Sequence, residues 1–177
     1  MRVKNTWISS LAFAILALLT WCAPIGAQPV FPIPLALDLP GDARAAHAKK
    51  IPLLLFITQA NCPYCEQARR TVFAPMAREL AATEPPAASS ATKPVLLREL
   101  ATGNNQLVKR FDGSRSSALS VAKSLGVHVF PTVLLLDERG ARLVEPMEGL
   151  RIADFYPAYV DENIAEAHAK LLKSAAQ

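Results

Sequence analysis

Two cysteines separated by Pro-Tyr, Cys62-Pro63-Tyr64-Cys65, stand just beyond a continuous apolar run, Pro52-Leu53-Leu54-Leu55-Phe56-Ile57-Thr58. An apolar run without polar alternation, bounded by Pro and polar residues, reads as a strand buried on both faces, of the kind that parallel α/β sheets make. The cysteines then open a helix predicted over 62–73. Two intervening residues bring both sulfurs to its first turn, close enough to join as a disulfide. Cys62 falls where unpaired backbone N–H groups and the helix dipole favour an anion, so its thiolate is the expected nucleophile. Cys65, one turn further in, is the expected resolving thiol that closes a mixed disulfide.

Other chemistries fit this pair less well. Structural zinc takes four ligands, and beyond the pair the sequence supplies only His47, His128 and His168, each isolated, so no metal site is expected. Covalent haem attachment needs a histidine directly after the second cysteine, and Glu66 stands there. A purely structural disulfide across two residues would constrain the unfolded chain very little. Thiol–disulfide exchange is the chemistry left, and it needs no cofactor beyond the cysteines.

A third cysteine, Cys22, belongs to a different kind of segment. Arg2 and Lys4 precede a stretch without charge from Asn5 to Leu37, and 8–22 is an apolar run. That length suits the core of a signal peptide and is short of the ~20 residues of a membrane span. Ile25-Gly26-Ala27 places a small residue before a cut between Ala27 and Gln28, although Ile departs from the usual small residue three positions before the cut. Residues 1–27 are therefore read as a signal peptide, with an uncleaved membrane anchor as the alternative. The bulky Trp21 argues against lipidation of Cys22. Cleavage would remove Arg2, Lys4 and Cys22, lowering the net charge from +4 and leaving one cysteine pair. That balance, without any Lys/Arg tract, excludes the electrostatic footprint of a nucleic-acid binder. A chain that is 51% hydrophobic and 19% charged is one compact domain rather than a disordered segment. The location implied is the periplasm, where disulfides form and persist.

The rest of the chain is read in order. Residues 28–49 carry Pro29, Pro32, Pro34 and Pro40 and form an extended leader, a linker or an edge strand, with a short helix over 42–50. After the cysteine helix, Pro75 demands a break and a second helix over 75–82. A Pro-, Ser- and Ala-rich loop follows over 83–94, then a strand over 95–99 and an irregular connection through Gly103-Asn104-Asn105 and Asp112-Gly113. A helix over 116–125 is stopped by Gly126. Strands are predicted over 127–129, 132–136 and 141–144, the last two joined as a hairpin through Asp137-Glu138-Arg139-Gly140. An amphipathic helix over 152–172, interrupted near Pro157, closes the domain.

The order of strand, C-x-x-C and helix, followed much later by Val129-Phe130-Pro131-Thr132 opening a hairpin, resembles the thioredoxin superfamily over residues 50–173. The resemblance implies a three-layer α/β fold with a central mixed sheet flanked by helices, occupying 50–177. It implies that Pro131 is a cis-proline facing the redox pair and that the backbone of Phe130 pairs with an extended substrate segment, a form of strand addition. Gly149 matches a glycine bordering the same groove, which Pro63 and Tyr64 complete. The Pro-Tyr dipeptide is also that of glutaredoxins and of one periplasmic disulfide isomerase. Within the superfamily the chain is most similar to exported bacterial thioredoxin-like proteins of the SoxW type. It departs from thioredoxins at three places: Phe56 stands where they carry a buried acid, Asn61 where they carry Trp, and Phe130 where a small or β-branched residue is usual.

Reduction potentials on this fold span roughly −270 to −120 mV, so the direction of exchange has to be argued from insertions. Residues 83–94 are too short and polar for the helical insertion of a DsbA-type oxidase, and 28–49 are too short for the dimerisation domain of an isomerase. The expectation is a monomeric thiol–disulfide reductase acting on disulfides of exported client proteins and recharged by an unidentified electron donor. The alternatives are a non-catalytic, partner-specific assembly factor, a copper metallochaperone using the same cysteines with His128, and a glutathione-linked glutaredoxin-like activity.

Overall fold

The computed structural model describes residues 32–82 and 94–175. The signal-peptide reading of 1–27, the start of the leader and nearly all of the loop 83–94 lie outside the described residues.

Helix α1, Leu39–Ala48, begins three residues earlier than the sequence suggests. Asp38 rather than Asp42 starts it: its carboxylate accepts the N–H of Gly41 at 2.9 Å, and Pro40 occupies the first turn, where a missing N–H costs nothing. Asp42 instead reaches Arg98 at 2.7 Å. Ahead of α1 the leader is extended and hydrogen-bonded on both sides. Glu99 N–H donates to the Pro34 carbonyl at 2.8 Å, Ala36 N–H to the Glu99 carbonyl at 2.8 Å, and Lys109 N–H to the Leu37 carbonyl at 2.9 Å.

Strand β1, Leu53–Thr58, is buried along its whole length, as its unbroken apolar sequence requires. The cysteine helix follows as three segments: α2, Pro63–Ala68; a π-helical turn, Arg69–Phe73; and α3, Ala74–Ala81. The break expected at Pro75 does not occur. The wide turn sends the N–H of Ala74 back to the carbonyl of Arg69, and Pro75 falls in the first turn of the renewed α-helix, where it displaces no hydrogen bond.

Strand β2, Leu96–Ala101, pairs parallel to β1, with Leu53 opposite Leu96 and Phe56 opposite Glu99. The connection expected to be irregular contains a small hairpin, β3 Leu107–Lys109 and β4 Arg115–Ser117, whose turn is fixed by Asp112 accepting both the N–H and the hydroxyl of Ser114. Three-residue strands of mixed polarity leave no periodic signal to read. Helix α4, Ala118–Ser124, is capped by Ser117 and ended by Gly126 at φ +73°, a conformation that glycine adopts without strain.

Strand β5, Thr132–Leu136, pairs antiparallel to β1, and β6, Met147–Glu148, pairs antiparallel to β5. Two expected strands are corrected. Residues 127–129 form a bend rather than a strand, held by the N–H of Val127 on the Ala122 carbonyl at 3.0 Å. The stretch 141–144 makes only an isolated bridge, Arg142 with Leu136, so the partner of β5 comes later in the chain. A 3₁₀ turn, Ala153–Phe155, leads into α5, Tyr156–Ala175. Pro157 does not interrupt this helix, because it lies in the first turn.

Among the described residues the main sheet has four strands in the order β2-β1-β5-β6. Leu54, Phe56, Val133 and Leu135 point to one face, where the α2–α3 rod and α5 cover them. Leu53, Leu55, Ile57, Leu134 and Leu136 point to the other, under α1 and α4. The result is a three-layer α/β fold with a central mixed sheet, as the resemblance implies.

Candidate redox site

The chain leaves β1 and reverses at Asn61, whose φ of +55° is tolerated better by Asn than by most side chains. Cys62 follows in extended conformation as the N-cap of α2, with Pro63 in the first turn. Its Sγ accepts the N–H of Cys65 at 3.1 Å, and its carbonyl accepts that of Glu66 at 3.1 Å. The two sulfurs are joined as a disulfide, with the Cα atoms 5.2 Å apart. Cys62 is half-buried, Cys65 is fully buried, and Tyr64 is 63% exposed beside them. An incoming sulfur therefore has access to Cys62 and none to Cys65.

The register of β1 against β5 places the second half of the site. Ile57, one residue from the end of β1, lies opposite Thr132, the first residue of β5. The segment leading to Cys62 and the segment containing Phe130 and Pro131 thus meet at one end of the sheet. The Phe130–Pro131 bond is cis. Pro131 is buried, and its carbonyl accepts the N–H of Gly149 at 2.7 Å. Thr132 Oγ1 donates to the Val129 carbonyl at 2.8 Å and closes the bend before the strand. Phe130 is half-buried, packed on the α1/α4 side of the core. Gly149 adopts φ +71°, and a Cβ there would meet nothing nearer than Val129 Cγ1 at 3.9 Å, so it is the backbone conformation rather than crowding that calls for glycine. The sequence-predicted residues Cys62, Pro63, Tyr64, Phe130, Pro131 and Gly149 thus fall at the same end of the sheet.

A buried ion pair beside the cysteines carries no mark in the sequence reading. Glu99 is 4% exposed, on the same face of the sheet as Phe56. Its carboxylate accepts the hydroxyl of Thr58 at 2.6 Å and binds Arg69 in bidentate fashion, one arm being Nη2 to Oε1 at 2.7 Å and the other Nη1 to Oε2. The guanidinium lies over the Phe56 ring, 5.8 Å from its centroid, and its Nε reaches Glu66 at 3.2 Å. Hydrogen bonding to Glu99 holds Arg69 even more firmly cationic than an ordinary arginine. This pair ties the turn after Cys65 to the sheet. The signal that could have found it is the acid Glu99 in a largely apolar strand segment, which when buried must have a partner.

The aromatic layer on the α5 side of the sheet is continuous. Phe56 stacks on Phe73 at 4.1 Å, and Phe73 meets the edge of Tyr156 at 6.5 Å. His128 is exposed, and among the described residues no three His, Cys, Asp or Glu side chains gather where a metal ion could be held.

The profile of a thioredoxin-like domain matches residues 39–162. Among solved structures, the short form of thioredoxin f from spinach chloroplast aligns with a TM-score of 0.45 and 16% identity, over 79% of this chain and 98% of that one. A thioredoxin-fold protein from Helicobacter pylori aligns with a TM-score of 0.31 and 14% identity, over 71% and 84% of the two chains. No match was found among curated protein sequences.

Proposed function

The chain belongs to the thioredoxin-like domain family, and from that premise we propose that it is a thiol–disulfide exchange protein that reduces disulfides of exported client proteins through Cys62 and Cys65. The observation that carries the reading is the unequal access of a bonded cysteine pair at a helix start: Cys62 half-buried with its sulfur receiving a backbone N–H, Cys65 fully buried behind it. In the reduced protein the Cys62 thiolate attacks one sulfur of a client disulfide, forming a mixed disulfide and releasing the other client sulfur as a thiolate. Cys65, losing its proton, then attacks Cys62 Sγ. The second client thiolate leaves, and the internal Cys62–Cys65 disulfide is formed. Two electrons have passed to the client, and a dithiol donor returns them.

Phe130, Pro131 and Gly149 form the edge along which an extended client segment would pair, with Pro63 and Tyr64 as the facing wall. The apolar, charge-free segment ahead of the domain supports export to the periplasm, with 1–27 as the signal peptide. Reduction of insulin with dithiothreitol as donor tests the reading. Turnover that disappears in Cys62→Ser is the expected result; no turnover by the wild type would sink it.

A further inference from the structure

The chain that enters Cys62-Pro63-Tyr64-Cys65 and the helix that leaves it are both bonded to one buried carboxylate, that of Glu99. Thr58, the last residue of β1 and itself 2% exposed, lies ahead of Cys62 and donates its hydroxyl to Oε1 at 2.6 Å. Arg69, beyond Cys65, gives Nη2 to the same oxygen at 2.7 Å and Nη1 to the other. The backbone N–H of Arg69 is in turn bonded to the Cys65 carbonyl, so Arg69 follows the second cysteine by one helical turn.

The chain just beyond β2 adds to this hold. Thr102 donates both its N–H and its hydroxyl to the Thr58 carbonyl, each at 2.9 Å. Gly103 lies so close to the loop before Cys62 that a Cβ there would stand 2.5 Å from that of Ala60. Strand exit and helix start are therefore fixed to β2 and, through Glu99, to each other. The neighbouring Arg98 supplies a contrast. It binds Asp42 of α1 at 2.7 Å, tying β2 to a helix that carries no cysteine.

Closing the Cys62–Cys65 bond is an intramolecular reaction, favoured in proportion to how well the open form keeps the two sulfurs within reach. In the oxidised protein the bond itself holds them. In the reduced protein only the surrounding structure does. A residue that merely stabilises the fold stabilises both forms alike and leaves the equilibrium between them unmoved, whereas a clamp across the pair restricts the open form and favours closure.

We propose that Glu99 is a positioning residue for the exchange reaction, holding Thr58 and Arg69 together so that Cys65 stays within reach of Cys62 when the bond between them is open. The inference rests on the exchange reading of the two cysteines and adds the group that sets their equilibrium. Freeing Arg69 acts in the same direction as loosening the clamp, because a cation one turn beyond Cys65 without its buried partner favours the thiolate of the reduced form. Loss of Glu99 therefore shifts the pair towards the dithiol.

The test equilibrates the full chain with glutathione and its disulfide. Two glutathione thiols give up two electrons, the protein disulfide becomes the Cys62/Cys65 dithiol, and one glutathione disulfide is formed. After acid quenching and alkylation, the peptide carrying both cysteines is quantified by mass, so that Cys22 does not enter the count. Glu99→Gln is expected to favour the dithiol about tenfold over wild type, a change of about 30 mV. Thr58→Val, which removes only the hydroxyl arm of the clamp, shifts the equilibrium the same way by about threefold, and Thr58→Ser, which keeps the hydroxyl, stays within about twofold of wild type. Thr58→Val decides the matter where Glu99→Gln does not fold. Asp42→Asn, which breaks the other ion pair of β2, also keeps the wild-type equilibrium. Wild-type equilibria in Glu99→Gln and Thr58→Val overturn the inference while leaving the exchange reading intact. So does an equal shift in Asp42→Asn, which would mark a general loosening of β2 rather than a clamp on the cysteines. Failure of the wild-type pair to exchange with glutathione at all overturns the exchange reading itself.

Discussion

Glu99 lies directly across the parallel ladder from Phe56, and its carboxylate binds Arg69 on the helix that carries Cys65. The strand position where thioredoxins carry an acid is apolar here, and the buried charge sits one strand over instead. The backbone of Glu99 is held on its outer side by the leader through Pro34 and Ala36, so the side chain is enclosed although β2 ends the four-stranded sheet.

Breaking this pair should cost more than removing it. Glu99→Leu leaves the Arg69 guanidinium partly buried without its main partner and is expected to destabilise the protein by about 3 kcal/mol. Glu99→Leu/Arg69→Met removes both charges and should recover most of that loss. Urea denaturation of the two variants is the check, and equal midpoints would show that the ion pair is not what makes Glu99 costly to replace.

The two cysteines should behave differently once either is removed. Cys65→Ser leaves the accessible Cys62 able to attack but unable to resolve, so mixed disulfides with clients accumulate on it. Among the described residues Cys62→Ser retains only the fully buried thiol of Cys65, and the domain should trap none through it. Non-reducing gels after incubation with disulfide-containing proteins distinguish them, and equal trapping by both would reverse the roles assigned to nucleophile and resolver.

The start of α1 should respond to acid. The Gly41 N–H holds the Asp38 carboxyl below its ordinary value of 3.8, with Lys109 and Arg44 adding to the effect. A lowered folded-state pKa contributes stability that is fully present above the unfolded value and is lost as pH falls through the folded one. Asp38→Ala is therefore expected to cost about 0.5–1 kcal/mol at neutral pH, the low end for an exposed cap, and the gap from wild type should close as pH falls below 3.8 and through the folded-state value. Thermal melts of both proteins between pH 2 and pH 7 measure it.

Tyr156 should make the protein sensitive to alkali. Its hydroxyl titrates at about 12 in the folded state because burial opposes the phenolate, against 10.0 when free. The raised value means that stability is intact below pH 10 and falls as pH rises towards 12, because only the unfolded chain can release the proton freely. Wild type should lose up to about 2–3 kcal/mol relative to Tyr156→Phe across that window. Near neutral pH the Phe variant should be no less stable than wild type, since it deletes a buried hydroxyl that has no partner among the described residues. A constant difference from pH 8 to pH 12 would contradict the burial of this group.

The legible parts of this protein are those decided within a few residues of chain. The β1 run, the cysteines at the helix start and the Gly126 stop each follow from local pattern and backbone preference. Even there the stretch from Pro63 to Ala81 reads as broken at Pro75, because a π-turn that accommodates proline has no sequence signature. The β3–β4 hairpin and the true partner of β5 escape detection for a related reason: strands of two or three residues are too short to show a period.

By itself, then, the sequence determined the reactive pair and its setting, because a C-x-x-C at the end of a buried strand needs only its own first turn to bring the sulfurs together. Only the tertiary structure decided what surrounds the pair. Glu99 finds Arg69 across 30 residues of chain, and Gly149 finds Pro131 through the β5–β6 pairing. Such contacts join residues whose separation along the chain carries no information about their distance in space; the packing of the layers sets that distance, and with it the environment in which the two cysteines work.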